Sequence, residues 1–174
     1  MSQQSVQPIP EGFHSLTPHV VCKDAIKAIE FYKRAFGAEE VFSLTAPDGA
    51  LIHASVRIGN SMLMIADECP PMGAFSPKKF GGTPVTIHLS VADVDGSFAR
   101  AVSAGATTQM PVTEMFWGAR YGVLQDPFGH SWSIATQVKN LSQEEIRGAI
   151  VYMFNYGLPS VLPAADAAAS AVRQ

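Results

Sequence analysis

The stretch TPHVVCKD at residues 17–24 recurs 69 positions later as TIHLSVAD at residues 86–93. Both copies begin with Thr-x-His, continue as a short apolar run and end in aspartate. Aspartate is a favoured helix N-cap, so Asp24 and Asp93 each predict a strand followed by a capped helix. A duplicated strand and helix at this spacing indicates an internal repeat.

The two predicted helices cover residues 25–36 and 94–104, and each stops at a Gly-Ala pair that begins with Gly37 or Gly105. Glycine in that place fits the left-handed conformation that ends many helices. Three strand-like stretches follow each helix. They lie near residues 40–44, 52–58 and 61–66, and near residues 107–111, 119–125 and 131–136. The predicted unit is therefore βαβββ, and it occurs twice.

The repeat divides the chain into a domain over residues 1–138 and a C-terminal helical extension over residues 139–174. Within the domain we expect module 1 at about residues 15–68, a Pro- and Gly-containing surface linker at 69–83 and module 2 at about 84–138. In the extension, Ser142-Gln143-Glu144-Glu145 predicts a capping box that opens a helix through Phe154. The alanine-rich stretch from Pro163 is predicted to be a loose helix or a frayed tail.

Composition limits the partners of the chain. A formal net charge of −3, a pI near 5.9 and the absence of a basic run interleaved with aromatics argue against nucleic acid. The first residues show no signal peptide, and no apolar stretch is long enough to span a membrane. We expect a cytoplasmic protein in which Cys22 and Cys69 are free thiols.

Two motifs in module 2 carry a family resemblance. The stretch FWGARYG at residues 116–122 and the stretch DPFGHSW at residues 126–132 are similar to the WGxRxG and DPFGHxW signatures. These signatures belong to the PhnB-like branch of the vicinal-oxygen-chelate superfamily, which includes glyoxalases and bleomycin-resistance proteins. The resemblance covers roughly residues 14–138. It implies an α+β fold in which two tandem βαβββ modules form a cupped mixed sheet, and it implies a homodimer.

The resemblance also indicates where a metal would bind. In metal-dependent members, the first and last strands of each module each supply one ligand. Those positions are occupied here by Thr17, Met64, Thr86 and Ser133, and none of them is a good ligand for the divalent metals of the family. We therefore expect no cofactor. The alternative is a divalent-metal site in which a two-residue shift on the first strands brings in His19 and His88, with Glu68 as a carboxylate.

The first functional hypothesis is a cup that binds a small organic molecule, aromatic or anionic, without metal. The expected lining residues are Thr17, His19, His53, Met64, Thr86, His88, Trp117, Arg120 and Ser133. Trp117 and Arg120 could hold a flat or anionic ligand, or could pack against each other. His53 could face the cup, but it and His130 are expected to be structural. Asp67 and Glu68 either form a polar rim at the cup entrance or, as we favour, are solvated loop charges.

Two further hypotheses stay open at this stage. One is a metal-dependent lyase, isomerase or dioxygenase of the same superfamily. The other is an interaction protein whose C-terminal helix plugs the cup or forms the dimer contact. The sequence does not decide whether the two modules pair within one chain or between chains.

Overall fold

The computed structural model describes residues 6–156, and in them the βαβββ unit occurs twice, as predicted. Module 1 contains β1 (His19–Cys22), α1 (Ala25–Phe36), β2 (Glu39–Thr45), β3 (Leu51–Ile58) and β4 (Ser61–Asp67). Module 2 contains β5 (Thr86–Ser90), α2 (Val94–Ala104), β6 (Thr107–Glu114), β7 (Ala119–Gln125) and β8 (Ser131–Gln137). Two short 3₁₀ helices, Pro70–Met72 and Pro77–Phe80, lie in the linker, and α3 (Gln143–Tyr156) follows the domain.

Each module forms its own four-stranded mixed sheet. The strand orders are β1-β4-β3-β2 and β5-β8-β7-β6. In both sheets the first strand runs parallel to the last, and the other neighbours are antiparallel. The predicted fold class, including the C-terminal helix, is thus confirmed.

One core lies on the helix side of both sheets. Helices α1 and α2 pack against each other, and buried residues of the two modules form a single cluster that includes Phe31, Tyr32, Phe98 and Trp132. Gly37 and Gly105 end the two helices in the left-handed conformation, as predicted. Burial of this one apolar surface joins the modules within the chain.

The two helices begin in different ways. Asp93 caps α2 as predicted, because its carboxylate accepts a hydrogen bond from the Gly96 N–H at 3.0 Å. The same prediction for Asp24 is wrong, since its side chain makes no cap and its backbone is left-handed with φ 73°. The carboxylate of Asp67 at the end of β4 instead accepts from the Ala25 N–H, and also from the Leu51 N–H, both at 2.7 Å.

Asp67 and Glu68 are therefore not the solvated loop charges that the sequence suggested. Glu68 accepts hydrogen bonds from the backbone N–H and the hydroxyl of Ser76, at 2.8 and 2.7 Å. These bonds lower the pKa of Glu68. The linker, most of whose residues are exposed, is thus hydrogen-bonded to the end of β4.

The turn before β8 ties module 2 to module 1. The buried carboxylate of Asp126 accepts hydrogen bonds from Tyr32 Oη at 2.7 Å, Trp132 Nε1 at 3.0 Å, and the N–H groups of Phe128 and His130 at 2.9 Å. His130 Nε2 lies 3.1 Å from the carbonyl oxygen of Val21 on β1. Because a carbonyl only accepts, Nε2 must carry the proton. His130 is structural, as expected, and its partner lies in the other module.

The capping box that opens α3 is present. Glu145 accepts from the backbone N–H of Ser142 at 2.7 Å, and the Ser142 hydroxyl accepts from the N–H of Glu145 at 3.2 Å. The stretch from Pro163 lies outside the described residues. None of the described helices has the length and apolar character that crossing a membrane requires.

Candidate functional site

Side chains alternate along each strand, so each sheet has a second face turned away from the helices. In module 1 this face carries His19, His53, Ser55 and Met64, because Met64 pairs with His19 on one side and with Ser55 on the other. We call it the first open face. In module 2 the corresponding residues are His88, Tyr121, Val123 and Ser133, and we call their face the second open face.

The second open face holds a connected aromatic group. The rings of His88 and Tyr121 are nearly parallel, with an interplanar angle of 16° and centroids 6.2 Å apart. Trp117 meets Tyr121 edge-on at 5.7 Å, and its other neighbour is Phe116 at 4.8 Å. His88 Nδ1 lies 2.8 Å from the Ser133 hydroxyl, and this hydrogen bond fixes the orientation of the imidazole.

A cavity of about 590 Å³ contacts two members of this group, His88 and Trp117. Its lining includes His88, Ser90, Trp117, Ala119 and Gln137. The volume is in the range of small-molecule sites. Among the described residues that line it, none is a lysine or an arginine.

The first open face has different chemistry. The rings of His19 and His53 meet edge-on with centroids 5.9 Å apart, and Phe42 lies 6.3 Å from His53. His53 Nε2 is 3.2 Å from the Ser55 hydroxyl. Partial burial, and to a smaller extent the neighbouring His53, lower the pKa of His19, so its imidazole is neutral at pH 7.

The two open faces are related position by position. His19 corresponds to His88 and Met64 to Ser133, as the register of the parallel strand pairs shows. Counting back along β3 and β7 from the residues that oppose Met64 and Ser133 makes His53 the counterpart of Tyr121. In module 1, His19 lies beside the ring of His53, and in module 2, His88 lies beside the ring of Tyr121. The neighbouring residue of the last strand is Met64 in module 1 and Ser133 in module 2.

The remaining predicted lining residues lie at the margins or elsewhere. Thr17 precedes β1 and its hydroxyl is 3.4 Å from the His14 carbonyl, whereas Thr86 begins β5 and lies 3.2 Å from the Ser131 hydroxyl. Arg120 is separated from Trp117. Its guanidinium forms two hydrogen bonds to Asp95 of α2, at 3.0 and 2.7 Å, so the side chain lies on the helix side of the sheet.

A smaller cavity, of about 340 Å³, lies along β1 and β5 beside the linker. Its lining is mainly apolar and includes Phe75, Phe80 and Val85, with His19 and His130 among the polar members. It has fewer polar groups that could orient a ligand than the cavity of the second open face.

The residues present do not fit the divalent metal that the fold family implies. Thr17, Met64, Thr86 and Ser133 offer no imidazole or carboxylate, and divalent metals prefer such donors. The alternative set is not assembled either, because His19 contacts His53, His88 contacts Tyr121, and Glu68 is bonded to Ser76. Within residues 6–156, no three His, Cys, Asp or Glu side chains are grouped as a metal site.

Sequence reasoning missed Tyr121, Phe42 and Ser55. Tyr121 lies inside the FWGARYG motif, two residues after Ala119 on the same face of β7, so strand alternation alone would have found it. Phe42 could not be found in that way, because the pairing of β2 with β3 shifts between Glu40 and Phe42.

The sequence matches both a known family and individual relatives. Residues 12–134 match the model of the family described as Glyoxalase/Bleomycin resistance protein/Dioxygenase superfamily. An uncharacterized protein of Mycobacterium tuberculosis, Rv0887c, is 47% identical over 139 residues, covering 78% of this chain and 82% of the relative.

Two solved structures extend the comparison. TioX from Micromonospora sp. ML1 is 26% identical with a TM-score of 0.58, covering 71% of this chain and 98% of that one. A PhnB protein from Bacillus cereus, described as a putative 3-demethylubiquinone-9 3-methyltransferase, is 19% identical with a TM-score of 0.56. The match covers 71% of this chain and 99% of that one, and it shows the shared fold.

Proposed function

This chain belongs to the glyoxalase/bleomycin resistance protein/dioxygenase superfamily, and from that premise we propose that it binds a small, planar, neutral organic molecule on its second open face. The proposed binding needs no metal. The observation that carries the proposal is the aromatic group of Trp117, Tyr121 and His88 beside a cavity of about 590 Å³.

The chemistry of the lining favours a neutral aromatic ligand over an anionic one. The indole ring of Trp117 in the lining offers a flat apolar surface, and aromatic pairs add about 0.5–1.5 kcal/mol beyond the area that they bury. His88, Ser90 and Gln137 can orient polar atoms of the ligand by hydrogen bonds. Arg120, the cation that sequence analysis assigned to the site, is engaged with Asp95 instead.

We test this with tag-free protein in the presence of EDTA and a panel of bicyclic compounds, namely indole, quinoline and the corresponding carboxylates. Binding is followed by ligand-observed NMR. We expect the neutral compounds to bind in EDTA, and we expect Trp117→Ala to weaken them by roughly tenfold, which corresponds to about 1.4 kcal/mol.

The matched control is His53→Ala, because His53 is the counterpart of Tyr121 on the first open face. It should leave binding unchanged, whereas Tyr121→Ala should weaken it. Binding that requires a divalent metal, or that is equal in wild type and Trp117→Ala, would refute the proposal.

We further propose that the protein is a homodimer. Every residue of β2 is exposed, including Val41, Phe42 and Leu44, with Phe42 53% exposed. Apolar side chains grouped on one open strand are typical of a surface that a second copy covers. Members of this superfamily commonly form dimers.

Light scattering coupled to size exclusion tests the assembly. We expect wild type to elute as a dimer and Phe42→Asp to elute as a monomer. Ile26→Glu, on the exposed side of α1, is the control and should remain dimeric. A monomeric wild type would contradict the proposal.

A further inference from the structure

The first open face brings two imidazoles and a thioether onto neighbouring strands. The ring centroids of His19 on β1 and His53 on β3 are 5.9 Å apart. Met64 lies on β4, the strand between them, and its register with His19 and Ser55 puts it on the same face. Two imidazoles and one thioether thus share one small area of the sheet.

The spacing of the two rings suits a shared ion. A metal–nitrogen bond of about 2.0 Å, plus about 1.1 Å from the nitrogen to the ring centre, separates two rings on one ion by about 5 to 6.2 Å. The lower limit corresponds to a tetrahedral angle between the ligands and the upper limit to a linear one. The observed 5.9 Å lies toward the linear limit, where ions of low coordination number are found.

We propose that His19, His53 and Met64 form a binding site for the monovalent copper ion Cu(I). Thioether is a soft ligand that selects Cu(I), whereas Zn²⁺ sites usually have three or four imidazole, thiolate or carboxylate ligands. The described residues supply only the two imidazoles here. The donor set therefore matches the soft ion better than a divalent one.

The surroundings of His53 support this assignment. Its Nε2 is 3.2 Å from the Ser55 hydroxyl, which leaves Nδ1 as the nitrogen free to bind. A hydrogen bond on the non-ligating nitrogen is the usual way in which proteins orient a metal-binding imidazole. Ser55 is buried, so the bond is protected from solvent.

The second open face is a natural comparison within the same chain. It retains the histidine as His88 but has Tyr121 in place of His53 and Ser133 in place of Met64. Phenol and hydroxyl groups are poor ligands for Cu(I). The copper site is therefore independent of the small-molecule site proposed above, which lies in the other module.

The test uses tag-free protein carrying Cys69→Ser, which removes the partly exposed thiol that could compete for copper. Cys22 can stay, because burial raises the pKa of its thiol and keeps it protonated. Under anaerobic conditions the protein competes with bicinchoninate for Cu(I). We expect it to withdraw an equimolar amount of copper, and we expect Cu–S scattering in the X-ray absorption spectrum.

The variants assign the ligands. His19→Gln and His53→Gln should each weaken Cu(I) binding by about 100-fold, and Met64→Leu by roughly tenfold with loss of the Cu–S signal. His88→Gln on the second open face should retain wild-type affinity, and circular dichroism checks that each variant is folded.

Three outcomes would overturn the site. They are no competition with bicinchoninate, a Cu–S signal that persists in Met64→Leu, and a His88→Gln variant that loses copper as strongly as His53→Gln. Because the indole and quinoline experiment is done without copper, failure of either proposal leaves the other separately measurable.

Discussion

Modules 1 and 2 have the same strand order and the same parallel pairing of first and last strands, yet they satisfy their polar groups differently. Helix α2 begins on its own Asp93, whereas α1 begins on Asp67 from the far end of the module. The turn before β8 is built around the buried Asp126, whereas the turn before β4 is the exposed pair Gly59-Asn60. The repeat thus preserves the backbone path, and individual side chains decide which contacts stabilise each copy.

The largest loss of stability is expected from a substitution in the turn before β8. Asp126→Ala leaves Tyr32, Trp132 and two backbone N–H groups without their acceptor in the core. We expect it to lower the free energy of unfolding by about 3–5 kcal/mol, because each buried donor left without an acceptor costs about 1–3 kcal/mol and part of this is recovered by relaxation. Urea denaturation measures the change.

Asn60→Ala in the equivalent turn of module 1 is the matched control. The residue is exposed, so its effect should stay within about 0.5 kcal/mol. Equal losses of unfolding free energy in Asp126→Ala and Asn60→Ala would contradict the expected difference between the two turns.

A second comparison concerns the two helix starts. Asp67→Ala leaves the N–H groups of the buried residues Ala25 and Leu51 unpaired, and we expect a loss of about 3 kcal/mol. Asp93→Ala removes an exposed local cap, and about 1 kcal/mol is expected. Thermal and urea unfolding of the pair give the difference directly, and the reverse order would show that α1 does not depend on β4 for its cap.

The third comparison is of pH dependence, where a smaller effect is expected. Burial is the main cause that lowers the pKa of His130 below its ordinary value of 6.5, while Asp126 and the Val21 carbonyl act in the opposite direction. The unfolded chain therefore takes up a proton more readily than the folded protein. Stability is fully present above pH 6.5 and declines as the pH falls below it.

Urea midpoints measured from about pH 7.5 to about pH 5 test this linkage. His130→Gln should flatten the dependence, because the side chain no longer titrates. His19, whose pKa is also lowered, should account for part of the remaining slope, which His19→Gln would remove. A slope that is unchanged in His130→Gln would assign the linkage to other groups.

The smallest effect is expected at Arg120. Its partner Asp95 is exposed on α2, and both lie away from the second open face. Arg120→Met should therefore leave the affinity for indole and quinoline unchanged, in contrast to Trp117→Ala. The same NMR titration compares the two variants. Weaker binding in Arg120→Met would show that Arg120 contributes to the binding site.

Much of the fold was predictable because the repeat is explicit in the sequence. The Thr-x-His stretches, the Gly-Ala helix ends and the similar last strands predicted the succession of strands and helices along the chain. Asp93 was predictable as a cap because the contact is local. Asp24 misled the same argument, since the group that caps α1 comes from Asp67, 42 positions from Ala25.

The candidate sites were only partly predictable. His19, His88, Met64 and Ser133 follow from the repeat alignment, and they do lie on the open faces. The pairing of His19 with His53 required the lateral register of three strands, and the departure of Arg120 toward Asp95 required the position of α2. Neither is local in sequence. The cytoplasmic location and the absence of a nucleic-acid partner stay predictions.

The single core beneath two separate open faces has a consequence for how such a chain can change. Tyr32 and Val21 of module 1 are bonded to Asp126 and His130 of module 2, so fragments cut in the linker would each lose part of their interior. Such fragments should recover structure only when they are mixed. Substitutions on one open face, by contrast, leave the other face and the shared interior in place. The repeat thus forms one foldable unit with two surfaces whose residues can diverge separately.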